Sequence, residues 1–152
     1  MDSFKVQGLA GEASLSGTVS IEGAKNATLP LMAAALVMKG ETRLTNVPDI
    51  ADVHSMNGLL EGLGAYTTFK NHELSIRTQE ANETILNTDI AKRLRASVLL
   101  IGATLARSGK VTFPHPGGCV LGSRPIDLFV EGFKKLGCSV EEQGDTYTFE
   151  AP

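Results

Sequence analysis

Four places along the chain carry side chains suited to holding an anionic substrate. Lys25 and Asn26 follow Gly23-Ala24, and Arg95 sits within the basic cluster Lys92-Arg93-Arg95. Further on, Pro116-Gly117-Gly118-Cys119 precedes Gly122-Ser123-Arg124-Pro125-Ile126-Asp127. Lys25 and Arg95 stand at the predicted starts of two helices, where cations oppose the helix dipole. Free N–H groups at a helix start attract anions, so cation and helix start together suit a phosphate or carboxylate. Lys92 and Arg93 read more simply as solvated surface charge. Asn26 alone is an ordinary helix-start residue. Glycines let backbone approach a ligand and expose Cys119, where a thiol can react. Arg124 can grip an oxyanion through its planar fork. Asp127 either accepts from a ligand hydroxyl or imide or caps the next helix, the cap being the simpler role. His115, four residues before Cys119, has the type to lower a thiol pKa, but the histidines form no cluster. Cys138 reads as structural, because its counterpart in the repeat described next is Ala65.

These residues sit on a duplicated scaffold. Ala27, Leu36 and Gly40 match Ala96, Leu105 and Gly109 at an offset of 69, whereas Leu63-Gly64 match Leu136-Gly137 at 73. Four residues are therefore gained between Gly109 and Leu136, around the glycine-rich stretch. A repeated unit that gains a loop in one copy is a good place to look for function.

Periodicity gives the elements. Strands are expected at 4–7 and 18–21, a helix from Lys25 to Met38 ending at Gly40, and a strand over 41–47. A helix follows over 52–63, then a hairpin of 65–70 and 73–77 about Asn71-His72. The second copy predicts one helix over 91–106, a strand over 110–113, a helix over 126–136 and a hairpin over 138–150. The first helix of each copy is apolar nearly all round and wants burial on every side. The strands alternate, so one face of each sheet meets water. That is the reverse of a doubly wound sheet: helices inside, sheets outside. Two units do not obviously close such a core.

Composition narrows the class. The chain has 152 residues, 42% hydrophobic and 20% charged, with a net charge of −3. That is one ordinary globular domain with no broad attraction for nucleic acid or an acidic membrane surface. Two cysteines without a CxxC pair argue against a disulfide framework or a zinc site. The start lacks a secretory pattern, and the apolar run from Leu29 to Met38 is about half of a membrane span. A cytoplasmic protein is expected.

The blocks Gly23-Ala24-Lys25-Asn26-Ala27, Arg95-Ala96-Ser97, Pro116-Gly117-Gly118-Cys119 and Gly122 to Asp127, in that order, resemble the UDP-N-acetylglucosamine enolpyruvyl transferase family. The resemblance covers essentially the whole chain. It implies an inside-out α/β barrel type of fold, in which each of two domains holds three β-α-β-α-β-β units. It implies transfer of enolpyruvyl from phosphoenolpyruvate to the 3-hydroxyl of UDP-N-acetylglucosamine, the first committed step of peptidoglycan synthesis, with no cofactor and no metal. Lys25 and Asn26 would contact phosphoenolpyruvate, with Arg124 reaching its phosphate. Arg95 would bind the nucleotide sugar. Arg124, Pro125, Ile126, Asp127 and Leu128 would line the uridine pocket. Cys119 would be the lid cysteine that protonates the methylene carbon and that fosfomycin alkylates. Residues 1–21 would join the other domain, and 22–152 would form a partial domain with repeats at about 22–78 and 90–150. Two units of the family's six are present, so the chain alone is expected not to turn over. Two other readings remain: a shikimate 3-phosphate enolpyruvyl transferase, which the Cys119 and Arg124–Asp127 blocks disfavour, and a non-catalytic fragment that binds an anion or self-associates.

Overall fold

The structure is a computed structural model that describes residues 3–8, 11, 14–115 and 126–152. Two units of the same build follow one another. The first comprises α1 (Lys25–Val37), β1 (Glu41–Leu44), α2 (Ala51–Gly62), β2 (Tyr66–Lys70) and β3 (Glu73–Arg77). The second comprises α3 (Thr88–Arg93), a 3-10 turn (Arg95–Val98), α4 (Leu99–Ser108), β4 (Lys110–Pro114), α5 (Asp127–Lys135), β5 (Ser139–Gln143) and β6 (Thr146–Glu150). Each unit has one three-stranded antiparallel sheet with its last strand central, in the orders β1-β3-β2 and β4-β6-β5. Registers correspond: Leu44 faces Leu74 in the first sheet, and Phe113 faces Tyr147 in the second.

The alternation read from sequence sets the layers. Leu74 and Ile76 of β3, Val111 and Phe113 of β4, and Tyr147 and Phe149 of β6 point into the core. Most of their neighbours along each strand are more exposed, as period-two geometry requires, Pro114 at the end of β4 being buried as well. Against these inner faces lie Met32, Leu36, Val53, Met56, Leu59, Leu60, Leu100 and Ile101 from the helices. The two hairpins are closed differently. Asn71 and His72 both take positive φ, 52° and 59°, the type I′ pair that matches strand twist. The second turn uses Gly144 at φ 60°.

The structure corrects four expectations. The strands at 4–7 and 18–21 are not formed: the described residues of 3–22 are irregular and exposed, with Phe4 at 97% and Leu15 at 90% exposure. Alternating residues prefer extended backbone, but a strand exists only when a neighbour pairs with its N–H and C=O groups. The helix over 91–106 is two helices joined by a 3-10 turn. Leu94 is extended (φ −108°, ψ 105°) and swings into the core. The Ser97 hydroxyl then donates to the Ala91 carbonyl at 3.0 Å, satisfying a group the broken helix leaves open. Finally, α1 is not buried all round: Leu31, Val37 and Met38 are about half exposed. Strand β1 is also shorter than expected, ending at Leu44 rather than 47.

Candidate active site

The polarity of the central helices decides where the basic residues meet. Arg107, in the last turn of α4, donates from Nη1 to the carbonyl of Leu36 in the last turn of α1, at 2.9 Å. Its Nε and Nη2 donate to the carbonyls of Ala81 and Thr78. Helices α1 and α4 pack on each other, so with their C-terminal ends tied they run parallel. Their N-terminal ends therefore lie at one end of the molecule, Lys25 and Asn26 on one helix and Arg95 on the turn that leads into the other. The offset of 69 that pairs Asn26 with Arg95 in sequence is thus a spatial pairing too.

Lys25 is half exposed, and its Nζ meets Asp52 Oδ2 at 3.0 Å. Asp52 lies in the first turn of α2, where a carboxylate suits the helix dipole. The ion pair relieves the charge misfit at the start of α1 and aims the ammonium toward the start of α2. The cap of α1 is Ala24, with no side-chain capping bond; Asn26 is exposed on the first turn. Its amide is therefore not used up as a cap. The approach to this end is set by Gly23. A Cβ there would sit 1.9 Å from the Asn46 carbonyl oxygen, so only glycine lets the chain pass that close. Asn46 itself takes φ 55°. Residue 47 behind it is clamped by the hairpin tip, with Val47 N–H donating to the His72 carbonyl at 2.8 Å and His72 Nδ1 donating to the Val47 carbonyl at 3.0 Å.

Arg95 is half-buried. Lys92 and Arg93 lie in the last turn of α3 rather than at the start of a central helix, where positive charge is favourable. Lys92 pairs with Asp145 in the β5–β6 turn, and Arg93 Nε donates to the Asp89 carbonyl. Their reading as ordinary surface cations holds. Of the second block, Ile126, Asp127 and Leu128 are described, and Cys119, Arg124 and Pro125 lie outside the described residues. Ile126 is 2% exposed and acts as the N-cap residue of α5 without a side-chain capping bond. Asp127, in the first turn, does not cap the helix; it and Leu128 are exposed. The Asp127 carboxylate acts on the Tyr147 phenol, which is held above its ordinary pKa by burial first, then by Glu142 and Asp127. Cys138 is half-buried and packed on the core, as a structural cysteine would be. Sequence reasoning missed Asp52, Asn46 and Arg107. A carboxylate in a first turn signals only a helix start, and the partners of Asn46 and Arg107 are backbone atoms, which leave no mark in the sequence.

The architecture is that of the enolpyruvyl transferases. The enolpyruvyl transferase NikO from Streptomyces tendae superposes with a TM-score of 0.77 over 90% of this chain and 30% of its own, at 21% identity. An EPSP synthase from Acinetobacter baumannii does so with a TM-score of 0.67 over 89% and 32%, at 17% identity. The family model for EPSP synthase (3-phosphoshikimate 1-carboxyvinyltransferase) matches residues 9–150, and the chain belongs to that family. Among curated proteins it is similar to UDP-N-acetylglucosamine 1-carboxyvinyltransferase of Campylobacter lari, 45% identical over 84% of this chain and 30% of that protein. It is also similar to UDP-N-acetylglucosamine 1-carboxyvinyltransferase 2 of Carboxydothermus hydrogenoformans, 41% identical over 93% and 33%. The chain spans about a third of the length of the curated relatives it matches.

Proposed function

We propose that this chain contributes one wall of an enolpyruvyl transfer site that takes phosphoenolpyruvate and UDP-N-acetylglucosamine. The observation that carries this reading is the parallel pairing of α1 and α4, which gathers Lys25, Asn26 and Arg95 at one end. Relatives 41–45% identical bear the UDP-N-acetylglucosamine name, and this favours the nucleotide sugar over shikimate 3-phosphate as acceptor. Lys25 and Asn26 hold phosphoenolpyruvate, and Arg124 reaches its phosphate. Arg95 and the segment Arg124, Pro125, Ile126, Asp127 and Leu128 hold the nucleotide sugar. Cys119 delivers the proton to the methylene carbon. That step builds positive charge on the adjacent carbon, so the substrates must be held in position and water kept out. The protein works in the cytoplasm, in peptidoglycan synthesis, and needs no cofactor.

The finer architecture belongs to the same reading: helices inside and sheets outside, as part of an inside-out barrel. Residues 1–21 pair with another domain, which explains why their described part lies exposed. Two units do not cover α1, so catalysis requires further chain, and these 152 residues alone bind without turning over.

Thermal shift with UDP-N-acetylglucosamine and with shikimate 3-phosphate tests the assignment. Stabilisation by the first alone is expected, and it is reduced in Arg95→Ala. Stabilisation by shikimate 3-phosphate alone, or by neither, overturns it. Phosphate release from the two substrates by this chain alone would refute the need for further units.

A further inference from the structure

We propose that the free edge of β1 is a docking site for an extended segment of further polypeptide, which adds to the first sheet as a strand parallel to β1. The second unit shows what such an edge takes. There a segment lies parallel to β4, with Ile85 beside Thr112. Thr112 N–H donates to the Thr84 carbonyl at 2.7 Å, and Leu86 N–H donates to the Thr112 carbonyl at 3.1 Å. At the offset of 69 the counterpart of Thr112 is Arg43. The two ladders share one phase: Thr78 N–H donates to the Gly40 carbonyl at 3.2 Å, as Ala151 N–H does to that of Gly109 at 2.7 Å. Antiparallel pairs alternate between bonded and unbonded. Thr42 and Leu44 therefore bond to β3, whereas Glu41 and Arg43 turn N–H and C=O to the open side. Among the described residues β1 pairs with β3 alone, and an edge with free donors and acceptors is a template for another strand. Burial marks the same gap. Val111 and Phe113 point inward from β4 and are 0% exposed, with Leu86 of the added segment buried as well. Their counterparts in β1, Thr42 and Leu44, are only half-buried. The chain's own counterpart of 84–86 does not fill the place. Residues 15–17 lie exposed, and no helix over 19–24 matches α3, which in the second unit leads from that edge toward the central helix. The occupant is thus an extended segment from another polypeptide, with an apolar side chain where Leu86 stands.

Docking at this edge rests on the reading that further chain completes the site, but its test uses no substrate, so strand docking and ligand binding can fail separately. The probe is a synthetic peptide of residues 80–88, whose central part already fits the equivalent edge of β4. It would be titrated to millimolar concentration into the isotope-labelled 152-residue chain and followed by nuclear magnetic resonance. The amides of Glu41 and Arg43 should shift, and at saturation exchange of the Arg43 N–H should slow about fivefold or more, the weight of one hydrogen bond. The amides of Lys110 and Thr112, whose edge is already taken, should not move. The same peptide carrying Leu86→Asp should have neither effect. Arg43→Pro removes the outward N–H and no bond to β3, a place where an edge strand tolerates proline. That variant should keep its helix content and lose the response. An absence of shifts at Glu41 and Arg43 would overturn the proposal, and so would an equal response to the Leu86→Asp peptide or in a folded Arg43→Pro chain. Should Arg43→Pro fail to fold, the two peptides on the wild-type chain still decide.

Discussion

Gly23 and Arg107 govern the site without touching its chemistry. Gly23 lies against the Asn46 carbonyl so closely that a methyl group would overlap it at 1.9 Å. The obstacle is backbone, already held by the His72 hairpin tip, and it cannot yield like a flexible side chain. Gly23→Ala is expected to lower stability by about 1–3 kcal/mol, the range for overpacking, and to displace the first turn of α1. Nuclear magnetic resonance shifts confined to Lys25–Thr28 and 46–48, together with a lowered urea midpoint, would report both. Arg107 makes three bonds to carbonyls in α1 and the 78–81 connection. A lysine keeps the charge but cannot reach three divergent acceptors from one planar fork. Arg107→Lys should therefore cost about 2–4 kcal/mol. Calorimetry should show Tm falling by roughly 5–12 °C.

At the scale of elements, the second unit is fastened to the segment that leads into it by strand pairing and by charge. Segment 84–86 adds to the edge of β4, with Leu86 N–H donating to the Thr112 carbonyl at 3.1 Å and Thr112 N–H to Thr84 at 2.7 Å. Helix α3 is then fastened to the β5–β6 turn by Lys92 and Asp145. That bond holds the Asp145 carboxyl below its ordinary range. Glu41 of β1 is likewise lowered, first by its bond from Ser75 and then by Arg43. A carboxyl whose folded pKa is depressed stabilises the fold above its unfolded pKa, near 4, and that contribution is lost as pH falls through the lower folded value. Urea midpoints should therefore decline below about pH 4. Asp145→Asn should flatten that decline.

Among the described residues, an apolar surface of the central helices stays uncovered. Pro30, Ala33, Ala34 and Val37 of α1 with Leu99, Gly102 and Ala103 of α4 line an apolar groove of about 230 Å³. On α5 Leu128 is 82% exposed, and Leu136 just past its end is 74% exposed. The corresponding helix of the first unit, α2, buries Val53, Met56, Leu59 and Leu60. Part of the cover of α2 comes from the chain that follows it, for Ile90 reaches Gly58 closely enough that a Cβ there would stand 3.2 Å from its Cδ1. In the isolated chain such a surface should drive self-association. Sedimentation velocity is expected to show concentration-dependent oligomers, and Leu31→Lys with Ala34→Glu should return the chain to monomer at unchanged helix content. A monomer at high concentration in the wild type would show that the groove is too shallow to attract a second copy.

The amino-acid order alone determined the duplicated unit, the hairpins about Asn71-His72 and over 138–150, the alternating burial of the strands, and the basic and thiol blocks that mark the family. These are local properties: period-two and period-3.6 burial, turn chemistry, and glycine where φ is positive. Tertiary structure decided the rest, because the deciding partners lie far apart along the chain. Whether residues 3–22 become strands depends on a neighbour to pair with. Where the helix after residue 90 breaks depends on Leu94 finding the core and Ser97 finding a carbonyl. That Lys25 and Arg95 share one end of the molecule follows from Arg107 binding the carbonyl of Leu36, 71 residues away. A carbonyl is the same atom in every residue, so no sequence pattern announces which one a guanidinium will choose.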